Sequence, residues 1–218
     1  MNILPRILRF AFHHLYHDLA WTYDGVAAFV SLGRWIDWVR SVLPLVKPGR
    51  VLELGPGPGH LQVALRKAGY ATIGLDESRQ MLVQAAQRLR RSGLPAGLVR
   101  GTSQQLPFYR AFQNVVATFP TEYILDPRTL EGIWRALDQD GRLVVLMNAW
   151  IGGRSLTETA ARWLFRVTHQ GVLISDAAWE RLMAPFQQAG FRVQGLTLEV
   201  RKTLLQFIIA EKHDSVVK

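Results

Sequence analysis

The chain has 218 residues, of which 49% are apolar and 20% charged, a balance that suits one folded α/β domain and excludes a disordered one. It contains no cysteine, which removes disulfide frameworks, thiolate metal sites and cysteine nucleophiles together. The formal charge of +9 favours anionic partners, but the arginines are scattered rather than gathered in one run, so nucleic acid is the less favoured partner.

In chain order, residues 3–20 fit an amphipathic helix. Leu4, Leu8, Phe12, Leu15 and Leu19 lie on one stripe and Arg6, Arg9, His13 and His17 on another. Arginines and histidines interrupt its apolar run and no small-residue cleavage site follows. The segment therefore does not read as a signal peptide, and a cytoplasmic location is expected. No stretch reaches the ~18 apolar residues of a membrane span. A second helical pattern covers 25–43, and Pro44, Pro48 and Gly49 break it.

From residue 50 the pattern alternates. Strands are expected at 50–54, 71–76, 98–101, 114–119 and 141–148, with helices at 59–68, 78–92 and 127–136 between them. Alternation of this kind argues for a parallel sheet with right-handed crossovers. Helices at 154–166 and 176–189 follow, then strands at 191–200 and 203–210. The turn at Arg201-Lys202 is too short for a parallel crossover, so the last two strands are expected to be antiparallel.

The most informative segment is Val51-Leu52-Glu53-Leu54-Gly55-Pro56-Gly57-Pro58-Gly59-His60, a strand running through a glycine-rich turn into a helix. Such a turn at the carboxyl end of a parallel strand is where α/β sheets bind ligands. His60 stands where the dinucleotide fingerprint G-x-G-x-x-G needs its last glycine, and no lysine or hydroxyl follows as in a phosphate-binding loop. Pro56 and Pro58 also lack the N–H groups a phosphate would use. Asp76 ends the next strand about 20 residues on, placed to accept hydrogen bonds from ribose hydroxyls. A nucleoside without pyrophosphate is the expected ligand, with Glu53 set to pair with a cationic group on it.

These residues resemble class I S-adenosylmethionine-dependent methyltransferases. Glu53-Leu-Gly-Pro-Gly-Pro-Gly is similar to their E/D-x-G-x-G-x-G motif, and Gly74-Leu75-Asp76 to the segment that holds the ribose. Gly101-Thr-Ser-Gln-Gln-Leu-Pro-Phe108 resembles the adenine-binding G-D-A-x-x-L-P-F. Phe112-Gln-Asn-Val-Val116 resembles F-D-x-V, and Leu137-Asp-Gln-Asp-Gly-Arg-Leu143 the L-x-P-G-G-x-L turn. The motifs run in the family's order over roughly residues 45–212. Three positions depart from it: Thr102 replaces the usual acid, Gln113 the usual aspartate, and Asp140-Gly141 the proline-glycine turn.

The resemblance implies a Rossmann-like sheet of seven strands, mostly parallel with an antiparallel last strand and helices on both faces. A helical lid at 1–44 would form one unit with a methyltransferase domain at 45–212. It implies S-adenosyl-L-methionine as cofactor and S-adenosyl-L-homocysteine as product, and no spacing of histidines and acids in the sequence suggests a metal site. The implied cofactor site comprises Tyr23 of the lid, Glu53, Gly55, Gly57, Gly59, His60, Asp76, Glu77, Thr102, Ser103, Gln104 and Phe119. Acceptor chemistry falls to the loop Phe119-Pro-Thr-Glu-Tyr123, where Glu122 and Tyr123 are the candidates, with capping and packing as their alternatives, and to His169 in the covering segment. The aromatic N-terminal region, Tyr16 to Trp35, is similar to the lids of quinone-biosynthesis and phospholipid methyltransferases, although Trp21, Trp35 and Trp38 also suit plain packing. The expected activity is methyl transfer to a hydrophobic small molecule or lipid, with RNA or protein methylation and non-catalytic cofactor binding as alternatives. Residues 1–20 would touch an anionic membrane peripherally.

Overall fold

The computed structural model describes residues 33–151 and 176–213. Tyr23, the helix at 3–20, the helix at 154–166 and His169 lie outside the described residues.

A seven-stranded sheet forms the centre, in the order β3-β2-β1-β4-β5-β7-β6. Its strands are β1 (Arg50–Leu54), β2 (Ala71–Asp76), β3 (Leu98–Arg100), β4 (Phe112–Thr118), β5 (Leu137–Ile151), β6 (Arg192–Val200) and β7 (Thr203–Glu211). The first five pair in parallel, and β7 runs antiparallel to both neighbours. The strand order reverses between β1 and β4, and ligands bind such sheets at that switch point. β1, β4 and the LVVL run of β5 are almost wholly buried, as the segments RVLEL, FQNVVAT and LVVL demand of strands covered on both faces. The Arg201-Lys202 turn is as tight as its length implies. Both residues have positive φ (47° and 61°), the handedness of a two-residue hairpin loop that matches strand twist.

The helices are α1 (Trp35–Arg40), α2 (His60–Lys67), α3 (Arg79–Arg91), α4 (Pro127–Ala136) and α5 (Asp176–Gln188). Within the described residues, the helical pattern expected up to residue 43 is a six-residue helix followed by a 3-10 turn at Leu43–Leu45, where Pro44 interrupts the ladder. Ser78 caps α3 by accepting from the Met81 N–H, and Asp126 caps α4 by accepting from the Arg128 N–H. Two hydrophobic layers cover the sheet. One joins Trp38, Val42, Leu65, Val116 and Phe207, and the other joins Leu52, Leu130, Ile133, Val145 and Phe186.

The departures from the family motifs have local explanations. Gln113, in the aspartate's place, accepts from the Arg50 N–H (2.7 Å) and donates to Asp138 (3.2 Å), so it fastens β4 to the start of β1. At the β5 entrance Asp140 takes a left-handed conformation (φ 58°). A Cβ on Gly141 would lie 2.9 Å from the Asp138 carbonyl, so a glycine is needed there even without the proline. No helix among the described residues is long and apolar enough to cross a membrane.

Candidate functional site

A cavity of about 310 Å³ opens at the carboxyl ends of β1, β2 and β4. The strand ends supply Leu54, Gly55, Asp76 and Thr118, the loops supply Gly57, Glu77, Ser78, Gly101 and Ser103, and the acceptor loop supplies Phe119, Pro120, Thr121 and Tyr123. Its size is that of a small-molecule site.

The glycine loop divides its work. Gly55 and Gly57 both have positive φ (66° and 51°), and a Cβ on Gly57 would meet no atom within 4 Å, so that backbone lies bare to the cavity. Gly59 (φ 85°) does something else. A Cβ there would sit 2.8 Å from that of Ala85, so this glycine lets α2 start hard against α3. His60 follows as the first residue of α2.

Asp76 is oriented by the backbone around it. Its carboxylate accepts from the Gly57 N–H (3.3 Å) and the Ser78 N–H (2.9 Å) while lining the cavity. Burial raises its pKa, and the two backbone donors work against that rise.

Glu53 is 1% exposed, and burial pushes its carboxyl up to about 8; the Gln62 hydrogen bond opposes this and the nearby Asp76 charge adds to it. A chain of polar groups fixes its position. Gln62 Nε2 donates to Glu53 (2.8 Å), Thr72 Oγ1 donates to Gln62 Oε1 (2.7 Å), and Arg66 Nε donates to Thr72 Oγ1 (2.9 Å). Glu53, His60 and Trp35 line a second cavity of about 30 Å³, which shares Gly55, Gly57 and Thr118 with the first. That volume is enough for one water.

On the opposite wall, Ser103 is held by Thr129 of α4, whose hydroxyl donates to it (3.2 Å). Thr102 and Gln104 flank Ser103 without entering the cavity wall. Tyr123 reaches across the acceptor loop, its hydroxyl 3.4 Å from the Leu54 carbonyl and beside Gly55. Glu122 is exposed at the start of the 3-10 turn Glu122–Leu125 and stands outside the cavity wall. Phe119 is 8% exposed and left-handed (φ 49°), a strained setting for a bulky side chain at the mouth of a site.

The structure therefore brings Gly55, Gly57, Asp76, Glu77, Ser103, Phe119 and Tyr123 together around one space, with Glu53 and His60 on the smaller cavity beside it. Sequence reading missed Gln62, Ser78 and Met81. A glutamine next to the apolar stripe of α2 was the available signal for the first, and the D-x-S capping pattern was the signal for the second.

The space suits S-adenosylmethionine. The bare Gly57 backbone leaves room for a ligand at the loop, and the exposed edge of the Asp76 carboxylate matches two ribose hydroxyls. Glu53 offers a carboxyl for a cationic group. The positions that would hold the cofactor are Gly55, Gly57, Asp76, Glu77 and Ser103, with Glu53 behind the loop.

Comparison with known proteins agrees. A family profile described as "Methyltransferase domain" matches residues 51–141. The Bacillus subtilis protein YqeM is 26% identical over 135 residues, covering 60% of this chain and 54% of its own length, so the chain spans about half of that relative. A protein-L-isoaspartate O-methyltransferase of Alkalilimnicola ehrlichii is 31% identical over 159 residues, covering 64% of this chain and 68% of that protein. A Methanococcus maripaludis crystal structure described as an S-adenosylmethionine-dependent methyltransferase superposes with a TM-score of 0.63 at 16% identity, over 92% of this chain and 93% of that one. With its glycine loop, strand-end Asp76 and reversed seventh strand in place, the chain belongs to the class I S-adenosylmethionine-dependent methyltransferases.

Proposed function

We propose that this protein transfers a methyl group from S-adenosylmethionine to a hydrophobic small molecule or lipid. The supporting observation is the wall of the cavity where the acceptor loop meets the cofactor side. Phe119 and Pro120 of the loop, with Leu54 beside them, make that wall largely apolar, and Tyr123 and Thr121 are the polar groups of the loop. A mostly apolar site with few polar groups favours an apolar acceptor.

The cofactor supplies an electrophilic methyl on a sulfonium. The chain's own contribution is positional, because in-line displacement depends on holding nucleophile and methyl close and aligned. The Asp76 carboxylate orients the ribose end and the glycine loop sets the depth of binding. Tyr123 hydrogen-bonds the acceptor's polar atom or, for a phenol or carbon acid, takes part in removing its proton. Glu122, in the same loop, is the second candidate for that step, and His169 is the third that the family resemblance offers. Residues 1–20 bring the enzyme to a membrane that dissolves the acceptor.

A protein acceptor is the second reading, favoured by the 31% identity to an enzyme named for protein L-isoaspartate. The deciding experiment incubates the protein and labelled S-adenosylmethionine with a lipid extract and, separately, with an isoaspartyl peptide. Label in the lipid fraction, lost in Asp76→Ala and reduced ten- to a hundredfold in Tyr123→Phe, is expected. Label in the peptide alone moves the function to the second reading. Label in neither, with cofactor binding intact, sinks both acceptor assignments.

A further inference from the structure

The positive surplus is not spread over the molecule. Residues 60–100 hold seven arginines and lysines against two carboxylates, Asp76 and Glu77, whereas the other described residues hold thirteen against eleven. More than half of the chain's +9 therefore sits on α2, α3 and the edge strand β3. The two helices lie side by side, joined at the Gly59–Ala85 contact. Lys67, Arg79, Arg90, Arg91 and Arg100 are exposed, and the first four make no ion pair among the described residues. Among the other described residues four cations are held by carboxylates: Arg142 and Lys47 by Glu211, Arg128 by Asp126, and Arg201 by Asp37.

We propose that the outer side of α2 and α3 is a docking surface for an anionic lipid bilayer, set beside the mouth of the cofactor cavity. The thirteen residues of α3 span about 18 Å. Arg79 lies at the cavity end, next to the wall residues Glu77 and Ser78, and Arg90 and Arg91 lie at the far end. Arg100 donates to the Glu77 carbonyl and so stands at the same mouth. Unpaired exposed cations repel one another and destabilise the free protein, and an anionic surface relieves that repulsion.

The choice of a bilayer over nucleic acid rests on what stands among the charges. Val83, 47% exposed, is the large apolar side chain in the middle of the α3 face. The one aromatic residue of 60–100, Tyr70, is half-buried with its hydroxyl on the Val46 carbonyl, so no exposed ring is offered for stacking bases. Two adjacent helices also present a broad face rather than a groove that would follow a single strand. This assignment rests on the lipid-acceptor reading only in giving the bilayer a metabolic purpose.

The test is flotation of the full chain with phosphatidylcholine vesicles, with and without phosphatidylglycerol. Wild type floats only with the anionic vesicles, and high salt releases it. The triple change Lys67→Gln, Arg90→Gln and Arg91→Gln lowers partition about a hundredfold, and Arg90→Gln with Arg91→Gln about thirtyfold. A control of equal charge, Arg110→Gln, Arg135→Gln and Arg192→Gln, stays within about threefold of wild type, since Arg110 and Arg135 meet at the end of α4 and Arg192 begins β6, the sheet edge opposite β3. Equal losses in the two triples, or flotation indifferent to phosphatidylglycerol, overturn the surface. A wild type that ignores vesicles but shifts mixed RNA, with the shift lost in the first triple, gives the face to nucleic acid instead. Calorimetry with S-adenosylmethionine on every variant reports the fold and the cofactor site separately. A wild type that floats without binding the cofactor leaves this surface standing and removes the methyl-transfer reading.

Discussion

Trp35 stacks on Phe119, with ring centroids 4.6 Å apart and planes inclined by 27°, and Trp38 closes the cluster against both rings. The stack ties α1 to the first residue of the acceptor loop. Phe119 also donates its N–H to the Leu146 carbonyl (2.7 Å), so a left-handed backbone is held from two sides. Trp35→Ala should cost about 2–4 kcal/mol in urea unfolding, because it removes a large ring from a packed cluster. Phe119→Gly should cost about 1 kcal/mol less than Phe119→Ala, since glycine accepts positive φ without penalty. The reverse order would mean that the backbone at 119 is not strained in solution.

The three loop glycines should separate into two kinds. Gly59→Ala combines a positive φ with a Cβ forced against Ala85, and an unfolding cost of about 3 kcal/mol or more is expected. Gly57→Ala meets no neighbour, so it should cost only about 1–2 kcal/mol of stability. Its effect should appear in calorimetry instead, as a tenfold or greater loss of cofactor affinity. Similar stabilities for the two variants would contradict this division.

Stability should fall as pH rises from about 4.5 to about 8. Glu53 has an ordinary value of 4.5 when unfolded and about 8 when folded. Below that window both states keep the proton and nothing is lost. Within it the unfolded chain releases a proton that the folded chain retains, and above it the full cost, on the order of 4 kcal/mol, has accrued. Asp76, also raised, adds in the same direction. Glu211 acts oppositely, its carboxyl lowered chiefly by the Arg142 hydrogen bond, so its contribution is lost in stronger acid. Urea titrations at pH 5 and pH 8 should show wild type weaker at the higher pH and Glu53→Gln nearly level. A gap that survives in Glu53→Gln assigns the effect elsewhere.

Gln62 should matter through Glu53. Gln62→Leu leaves the buried Glu53 carboxyl and the Thr72 hydroxyl without their shared partner, at a cost of about 2–3 kcal/mol in thermal unfolding. Gln62→Glu should be worse above pH 8, where Glu53 has lost its proton and two carboxylates face each other. A neutral outcome for both would show that the chain through Thr72 does not position Glu53.

Much of the sheet was legible because its strands are covered on both faces and its helices carry their own stop signals. The bounds of β1, β2 and α4 coincide with those read from apolar runs, from the Gly and Pro around them, and from the Asp126-Pro127 start. The glycine loop and Asp76 were legible because a bare backbone and a strand-end acid have few other uses. What the sequence did not carry were relations between distant residues. The Trp35–Phe119 stack joins positions 84 residues apart, and Gln62 reads as an ordinary surface glutamine until Glu53 and Thr72 are placed around it. The different use of Gly59 depended on Ala85, which no local pattern reveals. The charge excess of residues 60–100 lies in one stretch of the sequence but forms no run, and only the packing of α2 on α3 joins its cations into one surface.

β7 is the last strand among the described residues, yet it lies inside the sheet, bonded to β5 over nine pairs and to β6 over nine. While the chain is being synthesised, β5 must therefore expose an apolar edge, and β6 has no partner to lie on, until residues 203–211 leave the ribosome. An edge of that kind invites pairing with other chains. The fold thus closes in one late step, and a nascent chain arrested before residue 203 is a better substrate for chaperones than for cofactor.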